Sequence, residues 1–317
     1  MRGERAAVAE RFAWVDAARG IGIIAVVIGH VWTRGPAHMI TYSFHMPLFF
    51  LLSGYLFRPK PPGAFARRLI LTQGLSYLAF LTLVVALDTI IEGNRGHRGI
   101  FHTWPADLGR LAFGGSDLRG PFTVFWFLPC LVMARIAFNT LSARFPDPLG
   151  GAWAAIAPIV LFLAYVVGWA TDASPLGLLT VPMALFLLWV GAAWKAIGWR
   201  GWMLWALLPL SFAGLFLLPT LNMKAGDYGW PIASIAGAIA SSFLVFRLGH
   251  LRLFASAPVR ALGRASLVIM YLHVPVIHYL SWMGKPALLV LATLLPLALY
   301  YLFDTNRLTR RIFLAQG

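Results

Sequence analysis

The feature that most constrains this chain is a succession of apolar runs, each long enough to cross a lipid bilayer as a helix. A bilayer core needs roughly 20 apolar residues in α-helical form. Such runs lie at approximately 14–33, 40–57, 67–91, 122–142, 152–170, 176–194, 202–219, 229–247, 263–283 and 286–303. Only 12% of the residues are charged, too few to cover a soluble globule of this length. The sequence therefore predicts an all-α integral membrane protein, a bundle of about ten transmembrane helices.

The basic residues predict how this bundle is oriented. Of the 26 Lys and Arg residues, 17 fall on one side of the bundle and 7 on the other if all ten runs cross, while Arg19 and Arg135 lie within runs. Because basic residues are enriched in cytoplasmic segments, this asymmetry predicts that both termini are cytoplasmic. The net charge of +15 is thereby interpreted as an orientation signal and not as a nucleic-acid site. We expect one transmembrane domain over residues 1–317, with no appended soluble domain.

The first run carries three ionisable residues, which are expensive in lipid and therefore indicate function. Arg19 and His30 are eleven residues apart, so on a helix they share a face and lie about 16 Å apart along the axis. Asp16 precedes Arg19 by three residues and is placed to pair with it. The pattern predicts an interior stripe with an ion pair near the cytoplasmic end and an imidazole toward the outer leaflet. The alternative is an interfacial salt bridge and a buried histidine without a catalytic role.

Other polar residues in or near the runs are candidates for substrate contacts. Arg135 either extends toward the cytoplasmic surface or faces the interior and binds phosphate. Trp126 is either an interfacial anchor or a pocket residue. The remaining candidates are His45, Ser53, Tyr271 and His273. Cys130 stands alone, and no Cys/His set has the spacing of a metal site, so we expect no bound metal. The long connection at 92–121 is predicted to cap a site from outside.

Four segments, in order, resemble the acyltransferase-3 family of membrane proteins. WVDAARGIGIIAVVIGH carries an Arg and a His separated by ten residues, as in the first helix of that family. FHMPLFFLLSGYLF at 44–57, FWFLP at 125–129 and LGRASLVIMYLH at 262–273 are similar to its later patterns. The likeness covers most of the chain. It is closer to the stand-alone sugar and amino-acid acetylases than to members with an extra hydrolase-like domain.

The resemblance implies an integral membrane O-acyltransferase of the bacterial inner membrane, with acyl-CoA, by default acetyl-CoA, as donor and no permanently bound cofactor. The acceptor would be a hydroxyl of a carbohydrate or cell-surface glycan precursor, and the family roles carry over to Arg19 and His30 only. Arg19, held by Asp16, suits the donor phosphates. His30 suits a general base or a transiently acylated group. The alternative function is a proton-coupled transporter using the same His, Arg and Asp residues.

Overall fold

The chain forms helices joined mostly by short connections. The computed structural model describes residues 2–171 and 173–316, and their side chains apart from those of 2–12 and 116. The helices are α1 (Arg2–Val31), α2 (Pro36–Tyr42), α3 (His45–Tyr55), α4 (Pro62–Asn94), α5 (Ala106–Phe113), α6 (Phe127–Arg144), α7 (Gly151–Ala170), α8 (Val181–Ile197), α9 (Met203–Phe216), α10 (Ala233–Gly249), α11 (Ala257–Arg264), α12 (Ser266–Tyr279), α13 (Lys285–Asp304) and α14 (Arg307–Phe313). The all-α membrane class is thereby confirmed, and each predicted run contains a helix.

The helices differ in whether they are long enough to cross a membrane. Within the described residues, 6 helices are long and apolar enough to cross a membrane, or up to 7 if α11 and α12 count as one bent span. The apolar helices α9 and α10 are shorter. Ten crossings and cytoplasmic termini therefore stay predictions. Arg2, Arg5 and Arg11, which enter the predicted charge asymmetry, lie outside the described side chains.

Three predicted runs are interrupted, and a proline follows two of the breaks. The run 40–57 is divided between α2 and α3, and α6 begins only at Phe127 and not at 122. Pro47 and Pro129 each occupy the third position of the new helix. A proline ring clashes with the carbonyl four residues earlier, which favours a helix start at these two places. Prolines also lie inside α7, α9, α12 and α13, so proline alone does not fix a break. In the run 263–283, α11 and α12 meet at an angle of 82°.

Glycines bring pairs of helices into close backbone contact. A Cβ atom added at Gly54 of α3 would collide with the backbone of Leu188 in α8, and one at Gly191 of α8 would collide with the backbone of Leu51. Gly214 of α9 and Gly237 of α10 face each other in the same way. Apolar side chains gain little by leaving lipid, so such close packing holds membrane helices together.

The bundle has an outer apolar surface and a central helix. Aromatic side chains at helix ends and connections are largely exposed, with Trp169 at 91%, Trp205 at 79% and Trp282 at 77% exposure, as expected of residues at a membrane–water interface. In the centre, α1 packs against α3, α10, α11, α12 and α13. The residues of α1 that face these neighbours are therefore inside the bundle, and two cavities lie along them.

Candidate active site

Three histidines from three helices meet near the C-terminal end of α1. The ring centroid of His30 lies 4.8 Å from that of His273 in α12 and 6.5 Å from that of His45 in α3. His45 and His273 are buried. The hydroxyl oxygen of Tyr42 in α2 lies 3.4 Å from Nε2 of His30. The candidates His30, His45 and His273, far apart in sequence, thus form one cluster.

Backbone hydrogen bonds orient all three rings in the same way. In each histidine, Nδ1 lies within hydrogen-bond distance of the carbonyl oxygen four residues earlier. The pairs are His30 with Val26 (2.9 Å), His45 with Thr41 (2.6 Å) and His273 with Ile269 (2.7 Å). Because a carbonyl oxygen can only accept, Nδ1 carries the hydrogen of the neutral ring and Nε2 is left to accept a proton. Nε2 of His273 is buried and has no hydrogen-bond partner.

His30 and His45 line a cavity of about 550 Å³, which we call the histidine cavity. Its wall also includes His38, Tyr42, Trp126, Asn222, Lys224 and Asp227. The ring of His38 lies 3.9 Å from that of Tyr42, centroid to centroid. The cavity thus combines an aromatic surface, several polar side chains and a nitrogen able to accept a proton.

Lys224 connects two distant segments beside the histidine cavity. Its Nζ donates hydrogen bonds to the carbonyl oxygen of Leu118 at 2.7 Å and to Oγ1 of Thr123 at 2.9 Å. Burial, and then the positive charge of Arg119, lower the pKa of the Lys224 amine to about 8, while Asp117 acts in the opposite direction. The end of the long connection is thereby held against this cavity.

A buried carboxylate fixes the other part of that connection. Asp88 of α4 is 2% exposed and accepts hydrogen bonds from the backbone N–H of Ile100 at 2.6 Å and from the hydroxyl of Tyr279 at 2.8 Å. Since a buried carboxylate without partners is costly, these bonds stabilise the folded segment. The connection 92–121, which includes α5, is therefore part of the packed structure near the site.

A second cavity, of about 440 Å³, lies further along the same helices, and we call it the basic cavity. Among the described residues, five cationic side chains and no carboxylate line it; the cations belong to Arg19, Arg58, Lys60, Arg135 and Arg264. Asn139 of α6 holds the segment around Lys60 in place, accepting from its N–H at 3.1 Å and donating to its carbonyl at 2.9 Å. Such a concentration of cations is suited to a polyanion.

Four helices contribute to the two regions at two depths. The pairs, with the histidine side first, are His30 and Arg19 on α1, His45 and Ser53 on α3, Phe127 and Arg135 on α6, and His273 and Ser266 on α12. At 1.5 Å per residue, the members of each pair lie about 10–16 Å apart along their helix. Phe127 and Met270 line both cavities. The cavities therefore lie end to end, with these two side chains between them.

The predicted residues divide between these two regions. Arg19, Ser53 and Arg135 line the basic cavity, His30, His45 and Trp126 line the histidine cavity, and His273 packs against His30. Their chemical roles remain predictions. Asp16 and Tyr271 depart from expectation.

Asp16 makes no ion pair with Arg19 within 4.0 Å. Among the described side chains, the cationic nitrogen that reaches this distance is Nη1 of Arg264, at 4.0 Å. The physical reason is direction: Arg19 extends into the basic cavity, whereas the Asp16 carboxylate faces α11. Asp16 thus belongs to the rim that carries Arg264, and spacing three apart on a helix permitted a pair without requiring it.

Tyr271 lies away from both cavities. Its ring stacks on Phe80 at 4.6 Å between centroids and lies 4.8 Å from that of Phe125, and its buried hydroxyl has no hydrogen-bond partner. Successive helical residues are about 100° apart, so Tyr271 and His273 point to opposite sides of α12. Only one of them could have faced the cluster.

Other residues of the site were not predicted from the sequence. Three of them were counted only among the basic residues that predict orientation: Arg58, Lys60 and Arg264. Three more were not named as candidates: His38, Tyr42 and Lys224. A usable signal was present for the first group. Arg58 directly follows the family-like segment 44–57, Lys60 lies in the connection RPKPPG at 58–63, and Arg264 lies within the segment 262–273. No comparable pattern pointed to Lys224.

Comparison with known proteins gives the family. The acyltransferase domain family matches residues 12–305, which is nearly the whole chain. Neither the curated proteins nor the solved structures contain a significant match. The match includes all four helices that carry the two cavities. The chain therefore belongs to the acyltransferase-3 family and is a multi-pass membrane acyltransferase.

Proposed function

We propose that this acyltransferase transfers a short acyl group, acetyl by default, from acyl-CoA to a hydroxyl of a carbohydrate acceptor. The observation that carries the proposal is that one helix, α1, presents Arg19 to a cavity lined by five cations and His30 to a second, histidine-lined cavity. The donor would bind in the first cavity and the acceptor in the second. By family likeness the membrane is the bacterial inner membrane.

The charge of the basic cavity supports CoA as donor. CoA carries several phosphate charges and cannot cross a bilayer, so its headgroup needs cations at a membrane surface. Arg19 and Arg135 would each donate charge-assisted hydrogen bonds to these phosphates. The predicted orientation puts this cavity toward the cytoplasm, where acyl-CoA is found.

The tautomer of His30 supports its role as general base. Nε2 would take the proton of the acceptor hydroxyl while the hydroxyl oxygen attacks the thioester carbonyl carbon. The C–S bond then breaks, and the imidazolium returns the proton to the CoA thiolate. The products are an O-acyl ester and CoA with a free thiol. Transient acylation of Nε2 is the second route, and it needs the same unprotonated nitrogen.

The histidine cavity has the surfaces that sugars bind. The ring of Trp126 offers a flat apolar face, and Asn222 and Asp227 offer hydrogen-bond partners for hydroxyl groups. A volume of about 550 Å³ is within the usual range for small-molecule sites. These features support a sugar unit, free or at the end of a larger glycan, as acceptor.

The proposal is tested by measuring acetyl-CoA binding and free thiol release on the purified protein, with a cell-envelope glycan extract as acceptor. We expect His30→Ala to bind acetyl-CoA normally and to lose thiol release, and Arg19→Ala to weaken binding. His250→Ala is the matched control, because His250 stacks on Trp14, outside both cavities. Failure of the wild-type protein to bind acetyl-CoA, or normal release by His30→Ala, would contradict the proposal.

A further inference from the structure

Phe127 and Met270 separate the basic cavity from the histidine cavity. Each lines both cavities, and each is almost fully buried, at 6% and 4% exposure. Phe127 is held by neighbouring rings, with its centroid 5.3 Å from that of Phe50 and 6.0 Å from that of Phe49. We call the place between the two cavities that Phe127 and Met270 occupy the constriction.

The proposed chemistry requires the acyl group to pass this constriction first. The phosphates would bind among the cations, and His30 lies about 16 Å further along α1 than Arg19. The acyl group is the tip of the donor, beyond the thioester carbonyl. When that carbonyl reaches the acceptor hydroxyl at His30, the whole acyl group has therefore entered or passed the space between Phe127 and Met270.

We infer that Phe127 and Met270 select the donor and admit only short, uncharged acyl groups. This inference rests on the proposed function. A two-carbon acetyl group has one methyl beyond the carbonyl. A longer chain must pass two bulky side chains and then occupy space in the histidine cavity that the acceptor also needs. Both effects disfavour transfer of longer chains.

The chemistry of the constriction also excludes charged acyl groups. Phe127 and Met270 offer no hydrogen bond donor, and their ring neighbours Phe49 and Phe50 offer none either. A terminal carboxylate such as that of a succinyl group would lose its water there without gaining a partner, which is costly. The cations of the basic cavity would hold such a carboxylate back on the donor side. Acetyl and propionyl groups carry no such penalty.

Met270 is the better residue for a test, because its side chain is unbranched, whereas Phe127 is held among other rings. Met270→Ala removes three side-chain heavy atoms and widens the constriction. Met183→Ala is the matched control: Met183 is fully buried in α8, so its loss makes a similar core defect, but it lines neither cavity.

The experiment measures kcat/KM for thiol release from acetyl-, butyryl-, octanoyl- and succinyl-CoA, with the same glycan extract for every variant. We expect the wild-type protein to favour acetyl-CoA over octanoyl-CoA by about tenfold or more, and Met270→Ala to reduce this ratio by about tenfold. Met183→Ala should keep the wild-type ratio, and succinyl-CoA should remain a poor donor for all three.

The outcomes distinguish this inference from the proposed function. If the wild-type protein releases thiol but all chain lengths react equally, or if Met270→Ala and Met183→Ala change the ratio alike, the constriction does not select the donor. If no thioester reacts with the wild-type protein, the proposed function itself fails. Should Met270→Ala not fold, Phe127→Leu widens the same passage from the other side and is expected to shift the ratio in the same direction.

Discussion

The basic and histidine cavities are similar in volume but differ in how their walls are held. The cations of the basic cavity are long side chains, several of them at its exposed rim, and no carboxylate from the described part of the chain lines the cavity with them. The rings of the histidine cluster are each fixed by a backbone carbonyl four residues earlier. The first arrangement acts through summed charge and tolerates imprecise geometry, whereas the second fixes the position of one nitrogen. Substitutions should therefore change donor affinity in the first region and turnover in the second.

The largest effect that separates the two regions is expected from His273→Ala. Its ring packs against His30, so its loss frees the ring of the proposed base to tilt and removes a neighbouring proton acceptor. We expect thiol release to fall by about 10²-fold, with acetyl-CoA affinity unchanged and the pH profile of kcat/KM displaced. His278→Ala, on the exposed part of the same helix, is the control. A fall in donor affinity equal to the fall in rate would contradict the division.

Arg135→Gln should give the opposite pattern. The side chain lines the basic cavity eight residues beyond Phe127, so we expect acetyl-CoA affinity to fall about tenfold or more, and turnover at saturating donor to change little. The loss should change little at high salt, because a largely buried charge is screened much less than an exposed one. Arg144→Gln, at the exposed end of the same helix, should leave affinity unchanged. Binding titrations at two ionic strengths measure both effects, and loss of turnover at saturating donor would argue against it.

A packing variant tests whether the close contact between α3 and α8 stabilises the bundle. Gly191→Leu would force α8 away from α3, which carries His45 and Ser53. We expect a loss of about 1–3 kcal/mol in unfolding free energy, read as a lower thermal midpoint in detergent. Gly74→Leu is the control, because a side chain there meets nothing within 4 Å. Equal destabilisation by both variants would mean that the close contact is unimportant.

The smallest effect concerns Lys224, whose amine should titrate near pH 8 because burial disfavours its charged form. The folded chain then releases this proton more readily than the unfolded chain, so the contribution of Lys224 to stability improves as the pH rises from about 8 toward the ordinary lysine value. NMR titration of the ¹³C-methylated amine, with Lys285 as reference, measures it. A midpoint above pH 10 would show that Lys224 is not desolvated.

Sequence predicted what depends on the chemistry of single residues and their spacing on one helix. Apolar runs gave the helices, and the cost of charge in lipid pointed to Arg19 and His30, which the continuous helix α1 keeps on one stripe. Spacing did not give side-chain direction. Asp16 was close enough to pair with Arg19 but faces α11. Tyr271 and His273, two residues apart, point to opposite sides of α12, but their spacing does not give which of them faces the cluster.

Contacts between distant segments were beyond such reasoning. Nothing in the pattern around Lys224 indicates that its amine reaches Leu118 and Thr123, because that contact depends on how the connections between helices fold against one another. Pro47 and Pro129 marked places that favour a helix start, since proline is best tolerated in the first turn of a helix, but the prolines inside α7, α9, α12 and α13 show that proline alone does not fix a break. Hydropathy alone counts apolar residues and does not register that constraint.

The constriction at Phe127 and Met270 has a consequence for energy coupling. On the proposed mechanism, an acyl group moves across the constriction toward the acceptor, while the proton of the acceptor hydroxyl ends on the CoA thiol. The net charge of the molecules on each side is therefore the same after the reaction as before it. Each turnover is thus an exchange of one group for one proton that moves no net charge through the membrane. The membrane voltage, which gives about 2.3 kcal/mol per elementary charge per 100 mV, therefore cannot drive acylation. The free energy must come from the thioester alone, which sets this enzyme apart from a proton-coupled transporter.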